Sequence, residues 1–99
     1  MATIRRYQDL EIWKRARALA KVVWDETQRG SFSKDYKLKD QINDATGSVM
    51  DNSAEGFGRG GSKEFKQFLS VSKGSCTEVG SQLHRALDRE HLNEQRFTD

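Results

Sequence analysis

Four glycines and an arginine stand close together between two segments with helical hydrophobic periodicity, and this cluster most constrains the fold. Glycine is disfavoured inside strands, and each glycine costs about 1 kcal/mol against alanine inside a helix. The cluster is therefore predicted to be a hinge that joins two helices. Ser62 and Glu64 favour a helix that begins there, because serine caps open N–H groups and a carboxylate suits the positive end of the helix dipole. The predicted structural loop comprises Asn52, Glu55, Gly56, Gly58, Gly60 and Gly61.

The same glycines match the dinucleotide-binding pattern G-x-G-x-x-G at Gly56, Gly58 and Gly61. In that fold the glycines follow a strand and bring the backbone close to a pyrophosphate. Here the segment before the glycines has helical periodicity, not that of a strand. The P-loop sequence pattern is also excluded, because Ser62 stands where that pattern requires a lysine. A helix-breaking turn is the favoured interpretation. An anion site, formed by Arg59 with the N–H groups at 62–64, stays open as the alternative.

Size and composition indicate one domain, residues 1–99, with a modest core. Charged residues make up 32% and apolar residues 34%, which favours a core that is completed by copies of the chain. Cys76 is the only cysteine, so an internal disulfide is excluded, a reduced cytoplasmic setting is expected and the residue is predicted to be buried. Met1–Tyr7 is polar and basic, so neither a signal peptide nor a membrane-spanning helix is predicted.

The hydrophobic periodicity predicts an all-α fold, an antiparallel up-and-down helical bundle with three long helices and a truncated or missing fourth. The helices are expected at about 8–29, 35–57 and 62–89, with a stub at 93–99. Three amphipathic helices leave apolar surface open where a fourth would lie. Either a partner covers that surface or the chain is cut short.

Each predicted helix has an apolar stripe. In the second, the stripe is Leu38, Ile42, Ala45 and Val49, and Asn52 and Ser53 continue it. Asn52 is interpreted as tying the glycine loop to a neighbouring helix, with a ligand contact as the alternative. The third has a heptad-like seam, typical of helices packed about 20° off parallel. The stripe of the first helix consists of Ile12, Trp13, Ala16, Leu19, Ala20, Val23 and Trp24, and the seam of the third consists of Phe65, Leu69, Ser72, Cys76, Val79, Leu83 and Ala86.

Charges are segregated although the formal net charge is only +2. The second helix carries an acidic row, which favours head-to-tail contact with basic faces of identical copies and hence a cyclic homo-oligomer. The basic residues are candidates for nonspecific contact with nucleic-acid phosphates, and solvated faces are the alternative. The acidic row is Asp40, Asp44, Asp51 and Glu55, and the tentative nucleic-acid-binding residues are Lys14, Arg17, Lys21, Arg59, Lys63, Lys66 and Lys73.

No catalytic or cofactor-binding arrangement is visible in the sequence. His84 and His91 lack a carboxylate or cysteine at ligand spacing, so a metal site is not expected. No G-x-S-x-G elbow marks a nucleophile. The chain is expected to be a non-enzymatic, self-associating scaffold that binds RNA or DNA. The alternative is a protein-interaction module whose open apolar groove accepts a partner helix.

Several motifs resemble one known family over nearly the whole chain. Tyr7–Trp13 resembles its opening F-x-D-L-x-V-W, and Asn52–Gly60 resembles its central N-I-A-E-G-F-G-R. Lys63–Phe65 with Phe68-Leu69, and then Ala86–Asp88, resemble its K-E-F-x-x-F-L and A-L-D. This is the four-helix bundle family that includes proteins encoded within intervening sequences of bacterial large-subunit ribosomal RNA genes. The accessory variability protein of diversity-generating retroelements is similar.

The resemblance implies an up-and-down bundle assembled as a homopentamer, without known enzymatic activity. For the retroelement relatives it implies a basic barrel that binds nucleic acid and a reverse transcriptase. The chain departs from the family pattern at Ser53, where an apolar residue is usual, and in lacking prolines and most of a fourth helix. Ser53 is expected to loosen its corner of the core.

Overall fold

Three α-helices make up most of residues 3–95, the part of the chain that the computed structural model describes. They are α1 (Glu11–Thr27), α2 (Tyr36–Gly58) and α3 (Ser62–Asp88). Short 3-10 turns at Tyr7–Asp9 and Gly30–Lys34 precede α1 and join it to α2. The described residues contain no strand, which confirms the predicted all-α bundle with three long helices.

The central helix is α2, because it packs along α1 on one side and along α3 on the other. Its apolar stripe lies in the core as predicted, with Leu38 and Ile42 fully buried. Phe32 is also buried although it lies in the α1–α2 connection, and burial of such a side chain contributes about 2–3 kcal/mol. The core consists of Val23, Phe32, Leu38, Ile42, Ala45, Val79, Ala86 and Leu92.

The first helix begins at Glu11, later than the expected start near Gln8. The reason is local: Tyr7–Asp9 forms a separate 3-10 turn, and Leu10 then adopts an extended backbone before α1 begins. An ion pair of 3.2 Å between Arg6 and Asp9 spans this turn. At the other end of the chain, Glu94 and Gln95 are helical, and the remainder of the expected 93–99 stub lies outside the described residues.

The predicted loop is wrong for Asn52, Glu55, Gly56 and Gly58, which lie in the last turns of α2. Only Gly60 and Gly61, together with Arg59, form the connection to α3. Tertiary packing keeps Gly56 helical, since a Cβ atom built on it would lie 2.6 Å from Cβ of Phe68. The cost of glycine in a helix is therefore offset by close contact between α2 and α3. Gly60 has φ of +80°, a conformation that glycine adopts without strain.

Polar side chains join α2 to α3 in place of the expected Asn52 contact. The amide of Asn52 donates to the carbonyl oxygen and the Oγ of Ser48, on its own helix, at 2.8 and 3.0 Å. The Oγ of Ser48 in turn lies 2.9 Å from the Oγ of Ser75 on α3. Ser53 is fully buried, donates to the carbonyl of Val49 at 2.8 Å and lies 3.3 Å from the Oγ of Ser72. Its hydroxyl therefore has partners inside the core.

Three further expectations require correction. The N-cap of α3 is Gly61 rather than Ser62, because the chain is extended at Gly61 and the Glu64 side chain folds back beside it. Cys76 is exposed, since it lies in an open groove between α1 and α3 and not in the core. Trp24 is 53% exposed, because it lies at the edge of the apolar face of α1.

Candidate nucleic-acid interface

Three exposed cations form a row along the outer surface of α1: Lys14, Arg17 and Lys21. Their spacing of three and four residues places them on one side of the helix, about 5–6 Å apart. None of the three lies within ion-pair distance of a carboxylate in residues 3–95, and the charge of Lys14 acts, after the hydrogen bond from Arg6, to lower the pKa of Asp9. The guanidinium of Arg17 lies 5.8 Å from the centre of the Trp13 ring, which holds it against the helix. We call Lys14, Arg17 and Lys21 the cationic row.

A second group of exposed cations lies on α3 and consists of Lys63, Lys66 and Lys73. Arg59 does not join them, because its guanidinium binds Glu55 at 2.8 Å and lies 5.4 Å from the centre of the Phe68 ring. The α3 lysines and the cationic row are not united in one patch. Lys73 borders the groove between α1 and α3, whereas Arg17 and Lys21 border the groove between α1 and α2.

The α1–α2 groove has a volume of about 520 Å³ and contains Trp24 next to the cationic row. Two carboxylates, Asp25 and Asp44, also line it, so Asp44 of the acidic row lies close to cations of α1. The amide of Asn43 forms part of the opposite wall and donates to Thr27 Oγ1 at 3.1 Å and to the Lys39 carbonyl at 3.0 Å. The sequence places Trp24 on the apolar stripe of the first helix. Its spacing of three residues from Lys21 could have placed it at the end of the row.

The α1–α3 groove has a volume of about 460 Å³ and an almost wholly apolar lining. The sequence predicts open apolar surface where a fourth helix would lie, and this groove is apolar surface that the three helices leave open. Arg15 and Lys73 stand at its edges, and the exposed Cys76 lies within it. Its apolar lining is made by Ile12, Ala16, Leu19, Val49 and Leu69.

A polar cluster that the sequence analysis missed joins the end of α3 to the α1–α2 connection. His91 lies 2.8 Å from the Oγ of Ser31 through Nδ1 and 2.9 Å from Asp35 Oδ2 through Nε2. Its ring stacks on Phe32 with centroids 5.1 Å apart. Arg89 binds the same carboxylate oxygen at 2.7 Å. The contacts bring together residues about 60 positions apart in sequence, which is why no local pattern revealed them.

Hydrogen bonds from His91, and then from Arg89, lower the pKa of Asp35 from 3.8 to about 2. A serine, a histidine and an aspartate linked in this order resemble a hydrolase triad. Here Arg89 competes with the histidine for the carboxylate, and the cluster lines neither the α1–α2 groove nor the groove between α1 and α3. The arrangement therefore holds the turn after α3 against the start of α2, as a structural contact.

The glycine connection does not form the anion site that was left open as an alternative. Arg59 is occupied by Glu55, and the carboxylate side chain of Glu64 lies beside Gly61 at the start of α3. A negative group at that position repels a phosphate. No strand precedes the glycines within residues 3–95, so the nucleotide fingerprint lacks its structural context.

The model of the 23S rRNA-intervening sequence protein family matches residues 8–99. The chain belongs to this family. No curated protein and no solved structure gives a significant match.

In this member of the family, the central motif Asn52–Gly60 forms the end of α2 and the start of the connection to α3. Gly56 of that motif provides the close approach to α3 described above. Among the described residues, no group of three or more His, Cys, Asp or Glu side chains is placed to hold a metal ion. No helix in that part of the chain has the length and hydrophobicity needed to cross a membrane.

Proposed function

We propose that this protein is a non-enzymatic helical scaffold that self-associates and binds nucleic acid, without sequence preference, through the cationic row. The observation that carries the proposal is the set of three exposed cations without ion-pair partners on one side of α1. Five other arginines, Arg6, Arg15, Arg29, Arg59 and Arg89, are paired with carboxylates. Membership of a family named for a ribosomal RNA intervening sequence supports RNA as a ligand.

Phosphate contacts of this kind are electrostatic and depend on salt. Three contacts give a slope of about −2 to −3 in a plot of log affinity against log salt concentration. Between 50 and 200 mM salt, affinity should fall by about 20- to 40-fold for each cationic row that is engaged. Because no element for reading base edges is present in residues 3–95, we expect little dependence on sequence.

Self-association would multiply the number of cationic rows. Asp40, Asp44 and Asp51 are exposed on α2 and form no ion pair within residues 3–95. They are suited to face basic side chains of a neighbouring copy, and head-to-tail contacts of this kind close into rings. We take a homopentamer in the cytoplasm as the proposed assembly, following the resemblance and the absence of an internal disulfide.

The double charge reversal Lys14→Glu with Lys21→Glu tests the proposal. Its matched control is Lys34→Glu with Lys37→Glu, which makes the same charge change at exposed positions near the start of α2. We expect the first pair to lose most binding to a fluorescent oligonucleotide in low salt and the control pair to retain it. Equal losses from both pairs, or no binding by the original chain, would contradict the proposal.

A second candidate function is supported by the α1–α3 groove, whose size and apolar lining suit a partner helix. This protein-interaction module would need no nucleic acid. The binding experiment separates the two functions, because a chain that shows no salt-dependent affinity for nucleic acid contradicts the first function and favours the second.

A further inference from the structure

The α1–α2 groove adds an aromatic face to the end of the cationic row. The side chains of Lys14, Arg17, Lys21 and Trp24 follow one another at intervals of three and four residues. They extend over about 15 Å of helix. We infer that the ligand of this surface is single-stranded nucleic acid, with one base stacked on Trp24 and the adjacent phosphates bound by the cationic row. This inference rests on the proposed function and specifies its ligand.

The exposed ring of Trp24 can stack on a nucleic-acid base. A tryptophan that is 53% exposed leaves a large apolar ring face in contact with water. Proteins that bind single strands combine a cationic track with aromatic rings on which bases stack, and such stacking tolerates any base. The groove beside the ring has room for a base, since its volume is about 520 Å³ and nothing lies within 4 Å of a Cβ built on Gly47 in its lining.

The charges around the α1–α2 groove favour one placement of a nucleic-acid strand. Asp25 and Asp44 line the groove with Trp24, and so do Arg17 and Lys21, so the two carboxylates offset the two cations there. Lys14 lies further along α1, beyond Arg17 and Lys21, so the cations favour the sugar–phosphate backbone on that side. A strand that follows the row places its phosphates on the cations and its uncharged base at Trp24. The groove wall is preformed, because two hydrogen bonds fix the Asn43 amide.

The same geometry disfavours a duplex. In a double helix the base faces are stacked on one another, so a base reaches Trp24 only after unstacking, which costs a few kcal/mol. Three cations on one helix would still bind duplex phosphates nonspecifically. A preference for single strands should therefore depend on the aromatic side chain, whereas affinity for both forms should depend on the cations.

The test compares a fluorescent 12-nucleotide single strand with the corresponding 12-base-pair duplex at 50 mM salt, by anisotropy. Trp24→Ala should lower single-strand affinity by about 5- to 150-fold, the effect of losing one stacked base, and leave duplex affinity unchanged. Trp24→Phe should retain most of the single-strand affinity. The control is Tyr36→Ala, which removes an aromatic ring that is 70% exposed elsewhere on the surface, and it should change neither affinity.

Three alternative results would refute the inference, and each of them has a different consequence for the proposed function. If Trp24→Ala leaves single-strand affinity unchanged while Lys14→Glu with Lys21→Glu abolishes binding, stacking is refuted and the proposed function stands. If the original chain binds neither form, both fail. If Trp24→Ala lowers the mass measured by light scattering, the ring is covered by a second copy of the chain, and the inference is again refuted.

Discussion

Substitution of Gly56 by alanine tests whether the end of α2 is helical because α3 packs against it. The added methyl group would lie 2.6 Å from Cβ of Phe68 and 3.2 Å from Cδ1 of Phe65. The first of these atoms is attached directly to the backbone, so rotation of the Phe68 side chain cannot relieve the contact. The helices must move apart, and overpacking of this kind costs about 1–3 kcal/mol.

The matched control is Gly58→Ala, two residues further along the same helix. A Cβ atom on Gly58 meets nothing within 4 Å, so this variant should gain at most about 1 kcal/mol from helix propensity, because Gly58 is the last residue of α2. A gain of the same sign applies to Gly56→Ala, so the propensity contribution cannot make Gly56→Ala the less stable of the two variants. A lower stability of Gly56→Ala therefore reports the steric cost, about 1–3 kcal/mol.

Thermal unfolding followed by circular dichroism measures this difference. For a chain of this size, 1 kcal/mol corresponds to about 4–8 °C in the melting temperature. We expect Gly56→Ala to melt at least 4 °C below Gly58→Ala. If the two variants melt together, the close contact between α2 and α3 at Gly56 does not exist in solution, and the glycine cluster is the flexible hinge that the sequence first suggested.

Two further predictions concern Asp35 and Cys76. Because the folded-state pKa of Asp35 is about 2, below the ordinary 3.8, its contribution to stability is present above about pH 4 and is lost as the pH falls towards 2. Solvent screening reduces this contribution to about 1 kcal/mol. Asp35→Asn should therefore lower the urea midpoint of unfolding at pH 5, and the two midpoints should converge near pH 2. A difference between the midpoints that does not change with pH would refute this role of the Asp35 charge. Cys76 is exposed in the α1–α3 groove and should react readily with a thiol reagent in dilute protein. If self-association covers this groove, the reaction should slow as the protein concentration rises. A rate independent of concentration, while light scattering reports assembly, would show that association uses another surface.

The sequence predicts the helices well because their periodicity is strong and local. The stripe of Leu38, Ile42, Ala45 and Val49 on α2 is buried as its spacing requires. The cationic row was also readable, since residues three and four apart on a helix must share a face. These features depend only on helix geometry, which each segment carries in its own residues.

Periodicity shows which side chains share a face, and it does not show which neighbour covers that face. Cys76 and Trp24 continue apolar stripes and yet are exposed, because α1 and α3 both pack on α2 and leave grooves on either side of α1. Propensity likewise predicted a break at Gly56, where contact with Phe68 keeps the chain helical. Contacts of this kind need two segments to be placed against one another.

The amino-acid sequence by itself determined the helical class, the segregation of charge and the resemblance to a family, because each depends only on the spacing of residues that are close together in the chain. Tertiary structure alone decided that the cationic row ends at an exposed tryptophan, that Arg59 is paired with Glu55, and that His91 reaches Ser31 and Asp35. The physical reason is that burial and pairing depend on distances between side chains, and those distances are fixed only when the helices pack.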